Sequence, residues 1–344
     1  MEKILPGGYR PLLNQKQTEQ AIKLVKDRFE QSLSAELRLS RVTSPLFVRR
    51  GWGINDDLNG IERPVRFPVR NLGGAEMEVV QSLAKWKRMA LADYGYPRGR
   101  GLYTDMNAIR PDDDIDAIHS IYVDQWDWEL VMGEEDRNRD FLVSVVDRIY
   151  GVLRTTEFAV SETYPEITPV LPERIQAIHT EEARSRYPDL SPRERETRLA
   201  GEYGAVFLMG IGGALSDGTI HGGRAPDYDD WTTPAEDGLP GLNGDIIVWD
   251  PVRQDSLELS SMGIRVDRET LLRQLGLTGH GDRRELFWHK RLLEGEFPQT
   301  IGGGIGQSRL CMFFLRKAHV GEVQASVWPR ETLDYCRDRG VPLL

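Results

Sequence analysis

The 344-residue chain is predicted to be an α+β protein, an antiparallel sheet flanked by helices. Three observations carry that expectation. Strand-like runs at 205–215, 244–252 and 256–267 follow one another, and only Arg253-Gln254-Asp255 separates the last two, so that pair must be antiparallel. Helical stripes sit at the beginning, middle and end of the chain, segregated from the strands. A hydrophobic share of 40% with every aromatic type present supports a large folded core.

In chain order, Ile22, Val25, Phe29 and Leu33 recur at spacings of three and four and place a helix with one buried face over 18–36. Residues 41–47 read as a strand, with Pro45 restricting it to an edge or an end. After a polar loop over 51–60, a strand is expected at 76–83, closed by Gln81 to Lys87. The longest strand signal is 118–131, rich in Trp, Tyr, Val and Ile, and Phe141, Val145, Ile149, Val152 and Leu153 give the next helical stripe. Residues 222–244 are rich in Gly, Pro and Asp and lack periodicity, which fits a disordered insertion or a lid; Tyr228 and Trp231 favour the lid.

Composition narrows the function. No apolar run approaches the roughly 20 residues of a membrane span, and a net charge of −10 argues for small-molecule chemistry over a nucleic-acid partner. The first residues lack a basic region followed by an apolar stretch, so no signal peptide is read. Two cysteines and six scattered histidines support neither a disulfide framework nor a zinc site, and a cytoplasmic location is expected.

Several residues can carry chemistry. Gly302-Gly303-Gly304-Ile305-Gly306-Gln307-Ser308-Arg309 is not a Walker loop, and Gln307 stands where a Rossmann turn needs its third glycine. It reads as a glycine turn that admits a ligand, before a helix N-terminus that favours anions and an arginine one turn in, or else as a packing cluster. Arg110 can fork onto a phosphate or neutralise the acidic loop 112–116. Alternation places Gln125, Asp127 and Glu129 on one strand face and Trp126 and Trp128 on the other. Glu258 and Ser260 are expected on one face, with Asp245 at the head of the neighbouring strand. Two such carboxylates can hold Mg²⁺ against nucleotide phosphates, or be exposed strand-end acids. One of the two lysines at the close of the 76–83 strand, Lys85 or Lys87, can bind a carboxylate as a point charge, or both can be solvated.

In this order these pieces resemble the catalytic core of class II aminoacyl-tRNA synthetases, in the aspartate and asparagine branch. The first helix with Pro45 resembles the dimer-forming motif, Arg110 and its returning strand the second motif, and Gly302 to Arg309 the third. Asp112 stands where that class has a glutamate, and Leu83 replaces the proline of a glutamine-serine-proline motif. A closer resemblance is to the ammonia-dependent asparagine synthetase family, carried by Ser82-Leu83-Ala84-Lys85-Trp86-Lys87-Arg88, Tyr122-Val123-Asp124-Gln125-Trp126-Asp127-Trp128-Glu129, Arg224-Ala225-Pro226-Asp227-Tyr228-Asp229-Asp230-Trp231 and the glycine stretch.

That resemblance implies an N-terminal extension over 1–17 and a single catalytic domain over 18–344 with a lid near 222–244. It implies a homodimeric, ATP-dependent ligase that makes asparagine from aspartate and ammonia through β-aspartyl-AMP, releasing AMP and pyrophosphate. Arg110, Lys87 and Asp229 are the implied catalytic residues. Asp56, Ser82, Lys87, Gln125, Asp127, Ser261 and Arg265 would hold aspartate, and Arg110, Asp245, Glu258, Gly304, Gly306 and Arg309 would hold ATP. Asp245 and Glu258 would carry Mg²⁺, with no nucleic acid or membrane partner. A shortened aspartyl- or asparaginyl-tRNA synthetase-like enzyme using another acceptor, and a non-catalytic amino-acid or nucleotide sensor, are the alternatives. Glutamine is not expected as the nitrogen donor, because its hydrolysis needs an activated cysteine; Cys311 lies in an apolar run and Cys336 in a polar tail.

Overall fold

A computed structural model describes residues 4–56, 58 and 62–344. In chain order its strands are β1 Leu39–Arg41, β2 Phe47–Arg49, β3 Arg66–Val69, β4 Ala75–Val79, β5 Gly101–Ile109, β6 Tyr122–Val131, β7 Gln176–His179, β8 Ala205–Met209, β9 Asn243–Asp250, β10 Asp255–Ile264 and β11 Thr300–Gly306. Its α-helices are α1 Gln15–Leu37, α2 Ala84–Asp93, α3 Arg139–Thr163, α4 Thr180–Arg186, α5 Pro192–Tyr203, α6 Arg268–Leu277, α7 Phe287–Leu293, α8 Gln307–Phe314 and α9 Arg330–Arg337.

Eight strands form one sheet in the order β1-β5-β6-β11-β10-β9-β8-β7, and β2, β4 and β3 form a second. The interior of the large sheet is antiparallel as expected, whereas its two edge pairs, β1 with β5 and β7 with β8, are parallel. The α+β architecture thus stands, with parallel strands confined to the rims.

Helix α1 begins where Asn14 and Gln17 cap one another's backbone N–H groups. Its Val25, Phe29 and Leu33 are fully buried, and the Phe29 ring lies 5.0 Å from Trp126 of β6. Both tryptophans of β6 therefore pack into the core shared with α1 and α3, which leaves Gln125, Asp127 and Glu129 on the opposite face. Among the described residues no helix is long and apolar enough to cross a membrane.

Several expected elements have different bounds. The strand over 41–47 does not form: β1 ends at Arg41 and β2 starts at Phe47 in the other sheet, with Pro45 between them in open coil. The strand over 76–83 stops at Val79, and Ala84 opens α2, so Lys87 stands on a helix and not at a strand exit. The run over 118–131 becomes a strand only from Tyr122, and 205–215 leaves the sheet after Met209. The loop over 51–60 is coil where described; positions 57, 59 and 60 lie outside the described residues. Cys336 is fully buried on α9 rather than lying in a polar tail. Burial pushes the Cys336 thiol up to about 11 and the Cys311 thiol up to about 12, so neither is an activated nucleophile.

Candidate active site

The glycine stretch is the largest revision. Gly302 to Gly306 are not a turn; they belong to β11, hydrogen-bonded between β6 and β10 in the middle of the large sheet. Close approach explains the glycines. A Cβ on Gly302 would strike the Glu129 carboxylate, and one on Gly304 would stand 2.5 Å from Gln125 Oε1 and 2.9 Å from Asp127 Oδ1. On the other face, a Cβ on Gly303 would lie 2.7 Å from the Ser261 carbonyl oxygen. The strand ends at Gly306, the N-cap of α8, and Arg309 stands in the first turn of that helix.

Above this strand opens a cleft of about 700 Å³. Of the predicted site residues, Arg110, Gln125, Asp245, Glu258, Ser261, Gly304, Gly306 and Arg309 line it. Arg110 follows β5 and donates to the Gln81 carbonyl at 2.9 Å. Arg309 reaches back to the Glu258 carbonyl at 3.2 Å, with the Glu258 carboxylate 3.8 Å away. Asp112, two residues beyond Arg110, is held down to about 2 by its hydrogen bonds from Arg63.

A bulge in β10 alters which residues face the cleft. The register against β9 shifts between Glu258 and Ser260, so Glu258 and Ser261 line the cleft while Ser260 turns away and donates to the Gly304 carbonyl at 3.0 Å. Glu258 and Ser260 therefore do not share a face. Asp245 lies directly across from Ser261 and pairs with Arg224. Burial raises the Asp245 carboxyl and Glu258 raises it further, against the opposing pull of Arg224. Among the described residues no group of three or more His, Cys, Asp or Glu side chains could hold a metal. A pair of carboxylates in a cleft does suit an ion that completes its shell from phosphate and water.

Below Gly304 and Gly302 the site closes into a buried charged pocket. Lys87 is 1% exposed, 3.1 Å from Asp127 Oδ2 and 2.8 Å from the Gly303 carbonyl oxygen. Burial pushes its ammonium pKa down, against the pull of Asp127. The alternative of a solvated lysine is excluded by this placement. Arg265 donates to Glu129 through Nε at 3.0 Å and Nη2 at 2.8 Å, and its Nη1 pairs with Asp229. Burial alone would raise the Glu129 carboxyl; Arg265 outweighs it and holds the carboxyl below its usual value. For Asp229 burial wins, and its carboxyl is raised despite Arg265 and Arg224.

Two unmet polar demands stand out here. Asp127 Oδ1 and both polar atoms of the fully buried Gln81 amide have no hydrogen-bond partner among the described residues, which points to a polar ligand. Asp56 is buried close enough to Tyr228 to help raise the tyrosine's pKa, after burial itself. The Ser82 hydroxyl accepts from Ala84 N–H at 3.1 Å at the start of α2. The segment over 222–242 is packed against this pocket, with Asp227, Asp229, Asp230 and Trp231 buried.

The sequence singled out neither Arg224 nor the cleft-lining pair His221 and Glu196, 3.1 Å apart. Arg224 lies within a family-like run, but its contact with Asp245 is made only when the segment folds across β9.

Comparison with known proteins decides the family: aspartate-ammonia ligase matches residues 16–340. The chain belongs to the aspartate-ammonia ligase family. A relative named aspartate–ammonia ligase from Parabacteroides distasonis is 59% identical over 341 residues, covering 99% of both chains. One of the same name from Clostridium perfringens is 54% identical over 345 residues, covering 100% of both. In fold, the chain resembles asparaginyl-tRNA synthetase from Pyrococcus horikoshii complexed with asparaginyl-adenylate, with a TM-score of 0.67 at 14% identity over 91% of this chain and 70% of that one. The Entamoeba histolytica asparaginyl-tRNA synthetase gives 0.66 at 13% identity, over 90% of this chain and 66% of that one. The chain thus spans about two thirds of the length of these synthetases, and the likeness establishes a class II synthetase-like fold for this ligase family member.

Proposed function

We propose that this chain joins L-aspartate and ammonia into L-asparagine at the expense of ATP, releasing AMP and pyrophosphate. The observation that carries this reading is the two-level site: buried paired charges at Lys87, Asp127, Glu129, Asp229 and Arg265 beside the glycine strand, and next to them a cleft whose lining includes Arg110, Arg309, Asp245 and Glu258. The relatives' shared name supports it.

In the first step a β-carboxylate oxygen of aspartate bonds to the α-phosphorus of ATP while the bond to the β-phosphate oxygen breaks, giving β-aspartyl-AMP and pyrophosphate. Arg110 contacts the α-phosphate, Arg309 the triphosphate tail or adenine, and the backbone at Gly304 and Gly306 lets the nucleotide lie close to the sheet. Asp245 and Glu258 hold Mg²⁺, which supplies charge neutralisation on the phosphates when bound. Otherwise the protein contributes positioning and preorganised charge.

Lys87 and Arg265 take the α-carboxylate, and Asp56, Gln125 and Asp127 the α-ammonium, with Ser82 and Ser261 at the pocket's edge. Two cations face three carboxylates here: Asp127, Glu129 and Asp229. For Arg265 to receive the substrate, Asp229 must give way on Nη1. The freed carboxylate then attracts ammonium and takes its proton, a role suited to its raised pKa. In the second step the ammonia nitrogen bonds to the acyl carbon, the bond from that carbon to the oxygen bridging it to phosphorus breaks, AMP departs with that oxygen, and the nitrogen's surplus proton passes to solvent.

A homodimer in the cytoplasm is part of the same reading. Leu46 and Phe47 are about half exposed, and Phe47 lies edge-on to Phe67 at 5.2 Å on the small sheet, an apolar surface that a symmetric partner would cover. Light scattering should give twice the monomer mass, and a monomer at micromolar protein removes that part. The function is tested by incubating the protein with aspartate, ATP, Mg²⁺ and ammonium and measuring asparagine and AMP together. Asparagine formation without equimolar AMP contradicts the reading.

A further inference from the structure

Behind the pocket lies a buried ion cluster to which the reaction assigns no role. The carboxylate of Asp227 is fully buried, and its Oδ2 lies 3.0 Å from Lys85 Nζ, 3.0 Å from His289 Nε2 and 3.2 Å from Arg283 Nη1. Burial would raise this carboxyl, but Lys85, His289 and Arg283 together hold it well below the usual range. Burial pushes His289 down against the pull of Asp227, and because the Asp227 carboxylate can only accept, the ring donates to it from Nε2.

The cluster's place in the chain is informative. Lys85 precedes Lys87 by two residues on α2. Asp227 precedes Asp229 by two residues in the packed segment. Gly53 precedes Asp56 by three, adopts φ +70°, and lies so close to the His289 ring that a Cβ would stand 2.7 Å from Nδ1. Trp288, beside His289 on α7, ties the same pieces together: its N–H donates to the Trp52 carbonyl at 3.0 Å and its indole to the Lys85 carbonyl at 2.7 Å. Three segments that deliver Asp56, Lys87 and Asp229 thus meet at one histidine and one aspartate.

Stability alone is a poor account of this arrangement. Packed apolar side chains commonly do as well as a buried ion cluster, and here Asp227 Oδ1 and His289 Nδ1 are both left without a hydrogen-bond partner among the described residues. A charged network is, however, a directional clamp: its fixed hydrogen-bond vectors set the relative placement of backbones that hydrophobic contact would leave adjustable.

We propose that Asp227, Lys85 and His289 are positioning residues for the aspartate subsite, setting the mutual placement of Asp56, Lys87 and Asp229 without touching substrate. This rests on the proposed assignment of those three to aspartate and ammonium. It is tested by measuring KM separately for aspartate and ATP, with kcat and thermal stability, in Asp227→Asn, His289→Leu and His289→Gln. His289→Leu and Asp227→Asn should raise the aspartate KM tenfold or more and leave the ATP KM within about twofold. His289→Gln, which keeps a donor toward Asp227, should recover most of the loss. Folded variants with unchanged aspartate KM, or with both KM values rising together, overturn the proposal. If Asp227→Asn is insoluble, the His289 pair decides. If all three fail to fold, the cluster is a folding determinant and the proposal also falls. The parent protein separates the two levels: absence of aspartate-dependent turnover there defeats the proposed function, whereas normal parent turnover with no aspartate-specific shift in the variants defeats only this inference.

Discussion

Asp229 holds Nη1 of Arg265, while Glu129 holds the same guanidinium through Nε and Nη2. The cation assigned to the substrate's carboxylate is already paired with two protein carboxylates, one on the rigid β6 and one on an irregular segment. If the substrate displaces only the second, Asp229→Asn removes a competitor. The aspartate KM should fall, by up to roughly tenfold if about 1.4 kcal/mol of charged pairing is released. The ammonium KM should rise in the same variant. Opposite shifts of the two constants check the exchange; an increase in both shows Asp229 to be simply a wall of the pocket.

Lys87→Met tests the other cation. Removing one partner of a buried pair leaves Asp127 uncompensated, at a cost of about 3–5 kcal/mol, so the variant should melt lower and show a steeply reduced kcat/KM for aspartate. Titration calorimetry with ATP should return near-parental affinity. Equal loss of both ligands would place Lys87 outside an aspartate-specific role.

The sheet glycines give a third expectation. A Cβ at Gly304 enters the gap between Gln125 and Asp127, whereas one at Gly303 meets the Ser261 backbone on the opposite face. Gly304→Ala should therefore raise the aspartate KM with a small change in melting temperature, and Gly303→Ala should lower stability by about 1–3 kcal/mol through overpacking. Steady-state kinetics and denaturant melts on the two proteins distinguish these effects; identical phenotypes would contradict the assignment of faces.

The sheet pattern was legible because it is local. Alternation around Trp126 and Trp128 identified both faces of β6, and the 253–255 turn identified the β9–β10 hairpin. The bulge in β10 was not legible: Leu257, Glu258, Leu259 and Ser260 alternate perfectly, and only the pairing with β9 displaces Ser260. The glycine stretch misled for a related reason. Glycines that form turns and glycines that make room for Glu129, Gln125 and Asp127 look alike until the neighbouring strand is known. Lys87 was found through family likeness, but its burial was not, since α2 begins within a stretch that continues the strand pattern. The Asp227 cluster joins residues separated by up to about two hundred positions, and no spacing announces it.

His319, next in the chain to the cleft-lining Val320, supplies a pH dependence of stability. It is 1% exposed, and burial, helped by Arg253, pushes its pKa down to about 4. Its Nδ1 accepts the Gly321 N–H at 3.0 Å, a bond that protonation there would destroy. Because the folded pKa is depressed, the unfolded chain takes up a proton first as pH falls. Stability from this group is complete above about pH 6.5 and is lost progressively toward pH 4, by about 3 kcal/mol in all. Urea midpoints at pH 7 and pH 5 should show the drop, and His319→Gln should flatten it. A parental slope in that variant would assign the acid sensitivity elsewhere.

The two-step reaction at a single two-level site is tested most directly by exchange of labelled pyrophosphate into ATP. With aspartate and Mg²⁺ present and ammonia rigorously absent, the protein should catalyse exchange; Glu258→Gln should suppress both exchange and asparagine formation, and Asp229→Asn should spare exchange. No aspartate-dependent exchange, or products of ADP and phosphate in place of AMP and pyrophosphate once ammonium is added, would contradict the account.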